Sequence, residues 1–159
     1  MSYRLEVLQR LTALLKGITV ANGYSHDLDV NVFRGRTVFG AEDPIPLVSI
    51  LESPRSDVGS YAGENERKDG WGLLIQGWTK DDLENPTDPA YELMDEVERH
   101  LERVSACSPI NGVELYPGDY LLNRTIVNIK VHPGVVRPPM EGVSSKAFFY
   151  LPVTLTLVK

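Results

Sequence analysis

Between Leu47 and Trp78 the sequence sets two apolar runs, LVSILE and GWGLLIQGW, on either side of a long polar segment. In each run successive side chains point to opposite faces, and both faces are apolar. Leu47, Ser49 and Leu51 oppose Val48 and Ile50 in the first; Leu74, Gln76 and Trp78 oppose Trp71, Leu73 and Ile75 in the second. A strand with no solvated face belongs inside a sheet, with neighbours on both sides. The runs therefore require further strands and a covering layer, and both are legible elsewhere in the chain.

The covering layer is two amphipathic helices. Leu5, Leu8, Leu11, Leu15 and Ile18 recur at spacings of three and four, which predicts a helix over 2–21 with Ser2 as N-cap and Asn22-Gly23 as its stop. Leu93, Met94, Val97, Leu101 and Val104 form a second stripe. That helix starts near Thr87 or Asp88 with Pro89 in its first turn, and Glu92, Asp95, Glu96, Glu98, Arg99 and Glu102 coat its outside. Further strands are predicted where Leu28, Val30 and Val32 alternate with Asp29, Asn31 and Phe33, with a possible continuation through RGRTVF, and in TIVNIKV and AFFYLPVTLTLV. Pro152 in the last of these suits an edge or a bulge. The segment HPGVVRPPMEGVSS reads as a second long loop. Helix, three strands, helix, two strands predicts one α+β domain over 1–159. It is a two-layer fold with a mixed, mostly antiparallel sheet of about five strands, packed by two helices and carrying long flexible loops.

Composition narrows the function. The chain has 159 residues, enough for one domain with a proper core. No apolar run approaches the ~20 residues that span a bilayer. The first residues lack the basic-then-apolar order of a secretion signal, which predicts a protein made in the cytosol. Cys107 is the single cysteine, so no intrachain disulfide forms and a cysteine zinc site is not expected. The net charge of −6 disfavours tight nucleic-acid binding, which draws its affinity from cations that neutralise phosphates.

Chemistry-bearing residues are few. His26 stands beside Asp27 and Asp29, where an imidazole and a carboxylate could bind a metal or move protons; polar residues at a loop entering a strand also serve as turn and cap formers. His100 falls off the main helical stripe and reads as solvated, and His132 before Pro133 reads as a turn. Asp81, Asp82 and Glu84 form an acidic knot ahead of the second helix, which the helix dipole alone explains. Trp71 and Trp78 read as sheet aromatics. No catalytic, metal-binding or cofactor-binding residue is assigned. The polar segment before Trp71 has little to bury beyond Val58 and Tyr61. Ordering a residue's backbone costs roughly 1–2 kcal/mol. A mobile partner-contact loop is the expectation there, with Arg55, Tyr61, Arg67 and Lys68 as the contacts.

From Leu8 to Val97 the chain resembles the tail terminator (tail completion) proteins of long-tailed bacteriophages. The likeness lies in the opening amphipathic helix, GY followed by a strand, RG, DPIPLVSILE, and the passage WGLLIQGWTKDDLENPTDPAYELMDEV. The resemblance implies a structural virion subunit of the tail and neck, made in the host cytoplasm. It implies a homohexameric ring that caps the finished tail tube, ends its polymerisation and presents a surface to the filled head. The implied partners are further copies of the chain, the tail tube protein and the head–tail connector protein. No catalytic residue and no cofactor come with the family. Genomic DNA would pass through the ring without specific binding, as an acidic bore offers phosphates no cations. Two alternatives stay open: a head–tail connector of similar fold, and a small enzyme using His26 with Asp27 or Asp29.

Overall fold

A computed structural model of the chain describes residues 2–36, 43–52, 69–80, 82, 84–138 and 146–157. The α+β architecture is as expected. Helix α1 (Tyr3–Leu15) and helix α2 (Asp88–Leu101) cover one face of a sheet built from β1 (Val32–Arg34), β2 (Leu47–Glu52), β3 (Asp69–Thr79), β4 (Ile126–Val131), β5 (Val135–Arg137) and β6 (Ala147–Leu157). The order across the sheet is β1-β2-β3-β6-β4, with β5 also on β6. Among the described residues only β1 and β2 run parallel, and the other pairings are antiparallel.

The two central runs pair as their patterns require. Leu47 lies opposite Trp78, Ser49 opposite Gln76 and Leu51 opposite Leu74. Trp71, Leu73 and Ile75 face the helices, joined there by Phe149, Leu151, Val153 and Leu155 of β6. Leu74, Gln76 and Trp78 lie half-buried on the opposite face. One apolar cluster unites these strands with Val7, Leu11, Leu14, Leu15 and Ile18 below α1 and with Leu93, Val97, Leu101 and Val104 around α2.

Several boundaries differ from expectation. Helix α1 stops at Leu15, and a separate 3-10 turn (Val20–Asn22) follows. Gly17 and the β-branched Ile18, Thr19 and Val20 make poor helix, so the chain turns early. Gly23 is left-handed, as a stop residue should be, but it ends the short turn rather than the helix. The inward stripe of α1 is Val7, Leu11, Leu14 and Leu15, whereas Leu5 stays 40% exposed. Leu5 and Leu8 instead look sideways over β1. The first strand begins at Val32, not Leu28: the Leu28 amide bonds the Ile18 carbonyl at 2.8 Å, and the Asn31 amide returns to Leu28, making a turn that leaves Val30 exposed. Among the described residues the sheet has six strands, because VVR within the second Pro/Gly-rich segment pairs with β6.

Pro152 occupies neither an edge nor a bulge, since β6 lies between β3 on one side and β4 with β5 on the other. The Pro152 carbonyl accepts the His132 amide, so its nitrogen faces the same side. There it falls between Tyr150, where β5 pairing ends, and Val153, where β4 pairing begins. The missing N–H coincides with a gap in the ladder.

One segment had no sequence signal. Leu121–Arg124 forms a single helical turn in which all four residues have φ between 50° and 62°. A left-handed turn of L-residues costs roughly 1–2 kcal/mol per residue. Tertiary contacts hold it: Leu122 is buried in the core, Arg124 pairs with Glu114 at 2.5 Å, and the Tyr3 hydroxyl donates to the Thr125 carbonyl. Asn123 is exposed, so backbone preference decides there. Asn123→Ala should cost about 1 kcal/mol and Asn123→Gly stay within about 0.5 kcal/mol of the parent, as chemical denaturation would read. A right-handed turn would reverse the order, with Gly the worse.

Candidate functional site

The loop 19–28 reaches α2 through buried polar side chains. Thr19 opens the loop as the cap of the 3-10 turn, and Asp27 Oδ1 accepts the Val20 amide at 2.9 Å. This folds Tyr24, Ser25 and His26 against the helix. Glu96, only 4% exposed, receives them: its Oε1 is 2.5 Å from His26 Nδ1 and its Oε2 accepts the Ser25 amide at 2.7 Å. Arg99 stands 3.9 Å from the same carboxylate. One turn on, His100 is 5% exposed and its Nδ1 meets the Tyr24 hydroxyl at 2.8 Å. A polar cleft of about 270 Å³ opens beside it, lined among others by Asn22, Tyr24, Arg103 and Asp119. Arg103 Nε donates to Asp119 at 2.7 Å and the guanidinium stacks on Tyr116.

His100 and Glu96 are therefore corrected: neither is solvated. Both sit at helical spacing from Leu93 and Val97, and their partners lie about seventy residues away in sequence. His26 does have a carboxylate partner, but it is Glu96; Asp27 is committed to a backbone amide and Asp29 is exposed. His132 ends β4 with its amide on Pro152 and its Nε2 2.9 Å from Thr154 Oγ1. Asp82 accepts the Glu84 amide in a local turn. Arg55, Tyr61, Arg67 and Lys68, the predicted partner contacts, lie outside the described residues, as does Asp81.

Chemically, the Glu96 carboxylate can hold the His26 imidazole in one tautomer. A general base also needs a substrate proton within reach and, for acyl transfer, a nucleophile and an oxyanion site. The hydrogen bonds of the network instead run from loop to helix and satisfy its members internally. Among the described residues, no three of His, Cys, Asp and Glu gather to hold a metal ion. No helix among them is long and apolar enough to cross a membrane.

Burial gives His100 a pH signature. It lowers the imidazole pKa from its ordinary value, as does Arg103, while the Leu14 carbonyl and Asp119 act the other way. The folded chain thus binds its proton at lower pH than the unfolded chain, so stability is full above about pH 6.5 and falls as pH drops through that value. Denaturation curves between pH 8 and pH 5 should show this decline, and His100→Gln should flatten it.

The outer surface is distinctive in a second way. Ten large hydrophobic residues are exposed among those described, and six of them fall between residues 110 and 131: Ile110, Val113, Leu115, Tyr116, Val127 and Val131. Ala106 to Tyr116 form an exposed hairpin, closed by Ser108 on Val113 and Leu115 on Ala106. The Arg124–Glu114 ion pair ties it to the left-handed turn that leads into β4. Helix α2 turns an acidic ridge outward, where burial and the neighbours Asp95 and Glu102 raise the pKa of Glu98. No family model matches the chain, and no curated protein is significantly similar to it.

Proposed function

We propose that this chain is a structural subunit of a bacteriophage virion, a tail terminator that assembles as a ring on the end of the tail tube, stops its growth and offers a docking surface to the head. The observation that carries the reading is the set of six exposed apolar side chains between residues 110 and 131, on an edge strand and on a hairpin tied by the Arg124–Glu114 ion pair to the turn that leads into that strand. Isolated exposed hydrophobic residues are ordinary, but a grouped set on a fixed frame is the mark of an assembly surface. The polar network around Glu96 supports the same reading, because its groups are used to pin the loop to α2. The sequence resemblance supplies the tail tube and the head–tail connector as partners, and the hexamer as the ring. The acidic ridge on α2 is the kind of surface past which DNA slides without being held. Interrupting the gene in a phage that carries it tests the proposal. Abnormally long tails that fail to join filled heads are expected, and tails of normal length joined to heads would refute it.

A further inference from the structure

Two unlike apolar features stand on the surface of the one subunit. The first is the hairpin of Ala106 to Tyr116, tied through Glu114 and Arg124 to the turn that leads into β4, with Ile110 at its tip 93% exposed. Along the β1 edge runs a groove of about 750 Å³, floored by Val32 and Ile50 and walled by Leu5 and Leu8 of α1. The sideways stripe of α1 creates this groove: Leu5 is 40% exposed there, and Leu8 lines it while also packing against the core.

We propose that the two features are halves of one contact, so that the hairpin of one copy seats in the α1–β1 groove of the next. The closing of such contacts into a ring rests on the assembly reading above; the pairing itself does not. Three observations select a second copy as the occupant. First, the backbones are matched. Asn31 and Gly35 use their carbonyl and amide on β2, which turns the backbone of Val32 and Arg34 outward at the groove. In the hairpin, Ser108, Val113, Ala106 and Leu115 bond one another, which turns the backbone of Cys107 and Glu114 outward. An extended limb of the hairpin can therefore add to the short β1 edge, with main-chain bonds giving affinity and side chains giving register.

Second, the charges are compatible although the whole chain is acidic. The hairpin of Ala106 to Tyr116 carries Glu114 as its one charged side chain, and Arg103, which stacks on Tyr116, is held by Asp119. Glu114 gives one oxygen to Arg124, and its second oxygen has no partner among the described residues. The groove carries Lys16 and Arg34 against a single acid, Glu52. Third, both surfaces belong to every copy and share no residue, which is the arrangement a head-to-tail contact needs and an isologous dimer does not.

Sedimentation of the purified protein over a range of concentrations tests this with two variants. Ile110→Asp spoils the hairpin tip at a position too exposed to affect folding. Leu5→Glu spoils the groove, and Lys16→Glu on its rim provides a second groove variant should Leu5→Glu unfold. Wild type should associate with increasing concentration, and each variant alone should associate about tenfold or more weakly. An equimolar mixture of a hairpin variant and a groove variant should form one-to-one dimers and stop there, because one intact contact remains per mixed pair. Wild type that assembles while the variants assemble equally well, or mixtures that form no dimer, would overturn the assigned surfaces and leave the ring reading standing on another face. Wild type that stays monomeric at every concentration, with tail tubes present as well, would overturn both. A groove that takes up a tail tube protein instead of a second copy would also overturn the pairing.

Discussion

Glu96→Ala should destabilise the protein by about 3 kcal/mol, far more than any other substitution on the polar side of α2. The carboxylate is buried and binds both the His26 ring and the Ser25 amide. Removing it strands a backbone N–H, which costs about 1–3 kcal/mol, and deprives the imidazole of its charged partner. The neighbouring Glu92 is exposed, so Glu92→Ala should stay within about 0.5 kcal/mol. Glu96→Gln keeps an acceptor for Ser25 and should fall between the two. Hydrogen exchange offers a local readout: the Ser25 amide should lose protection in Glu96→Ala well before the core amides of β3 and β6 do. If Glu96→Ala and Glu92→Ala unfold at the same denaturant concentration, Glu96 does not anchor the loop.

Gly77→Ala should cost about 3 kcal/mol for a different reason. Gly77 lies opposite Phe149 in the β3–β6 ladder, and a methyl group at its Cβ position would run into the edge of the Phe149 ring. Phe149 is fully buried, so the ring has nowhere to move without disturbing the core beneath both helices. Overpacking of this kind typically costs 1–3 kcal/mol, and a rigid aromatic neighbour puts the effect at about the top of that range. The smaller side chain of Phe149→Leu makes room, so the double variant should be more stable than the sum of the two single effects by about 1 kcal/mol or more. Strict additivity would mean that the strand can shift to relieve the clash.

How far such features were readable from sequence depends on whether their cause is local. The alternation of LVSILE and GWGLLIQGW fixes two interior strands because period two and two-sided apolarity are properties of the strand itself. The start of α2 at Asp88 follows from Thr87 and Pro89 for the same reason. Helix α1 is harder: its apolar residues are wide enough to form two stripes, and only packing shows that Val7 and Leu14 turn inward while Leu5 turns toward β1. Glu96 and His100 have inward spacing, but their polar letters argue for solvent until Tyr24, Ser25 and His26 are known to meet them. The left-handed turn at Leu121–Arg124 is set by distant contacts through Tyr3, Glu114 and the core, and no residue choice except Asn123 hints at it. Pro152 looked like an edge residue because a ladder gap between two consecutive partner strands cannot be seen along one strand.

In this account the buried polar groups stabilise the subunit and the exposed apolar groups join it to others. Electron microscopy of the purified protein with and without phage tail tubes, together with its mass in solution, tests that division most directly. Closed rings of a fixed number of subunits, free or seated on one end of tubes that no longer lengthen, are the predicted result. A particle that remains a single chain under both conditions, with tubes growing as though it were absent, would contradict it.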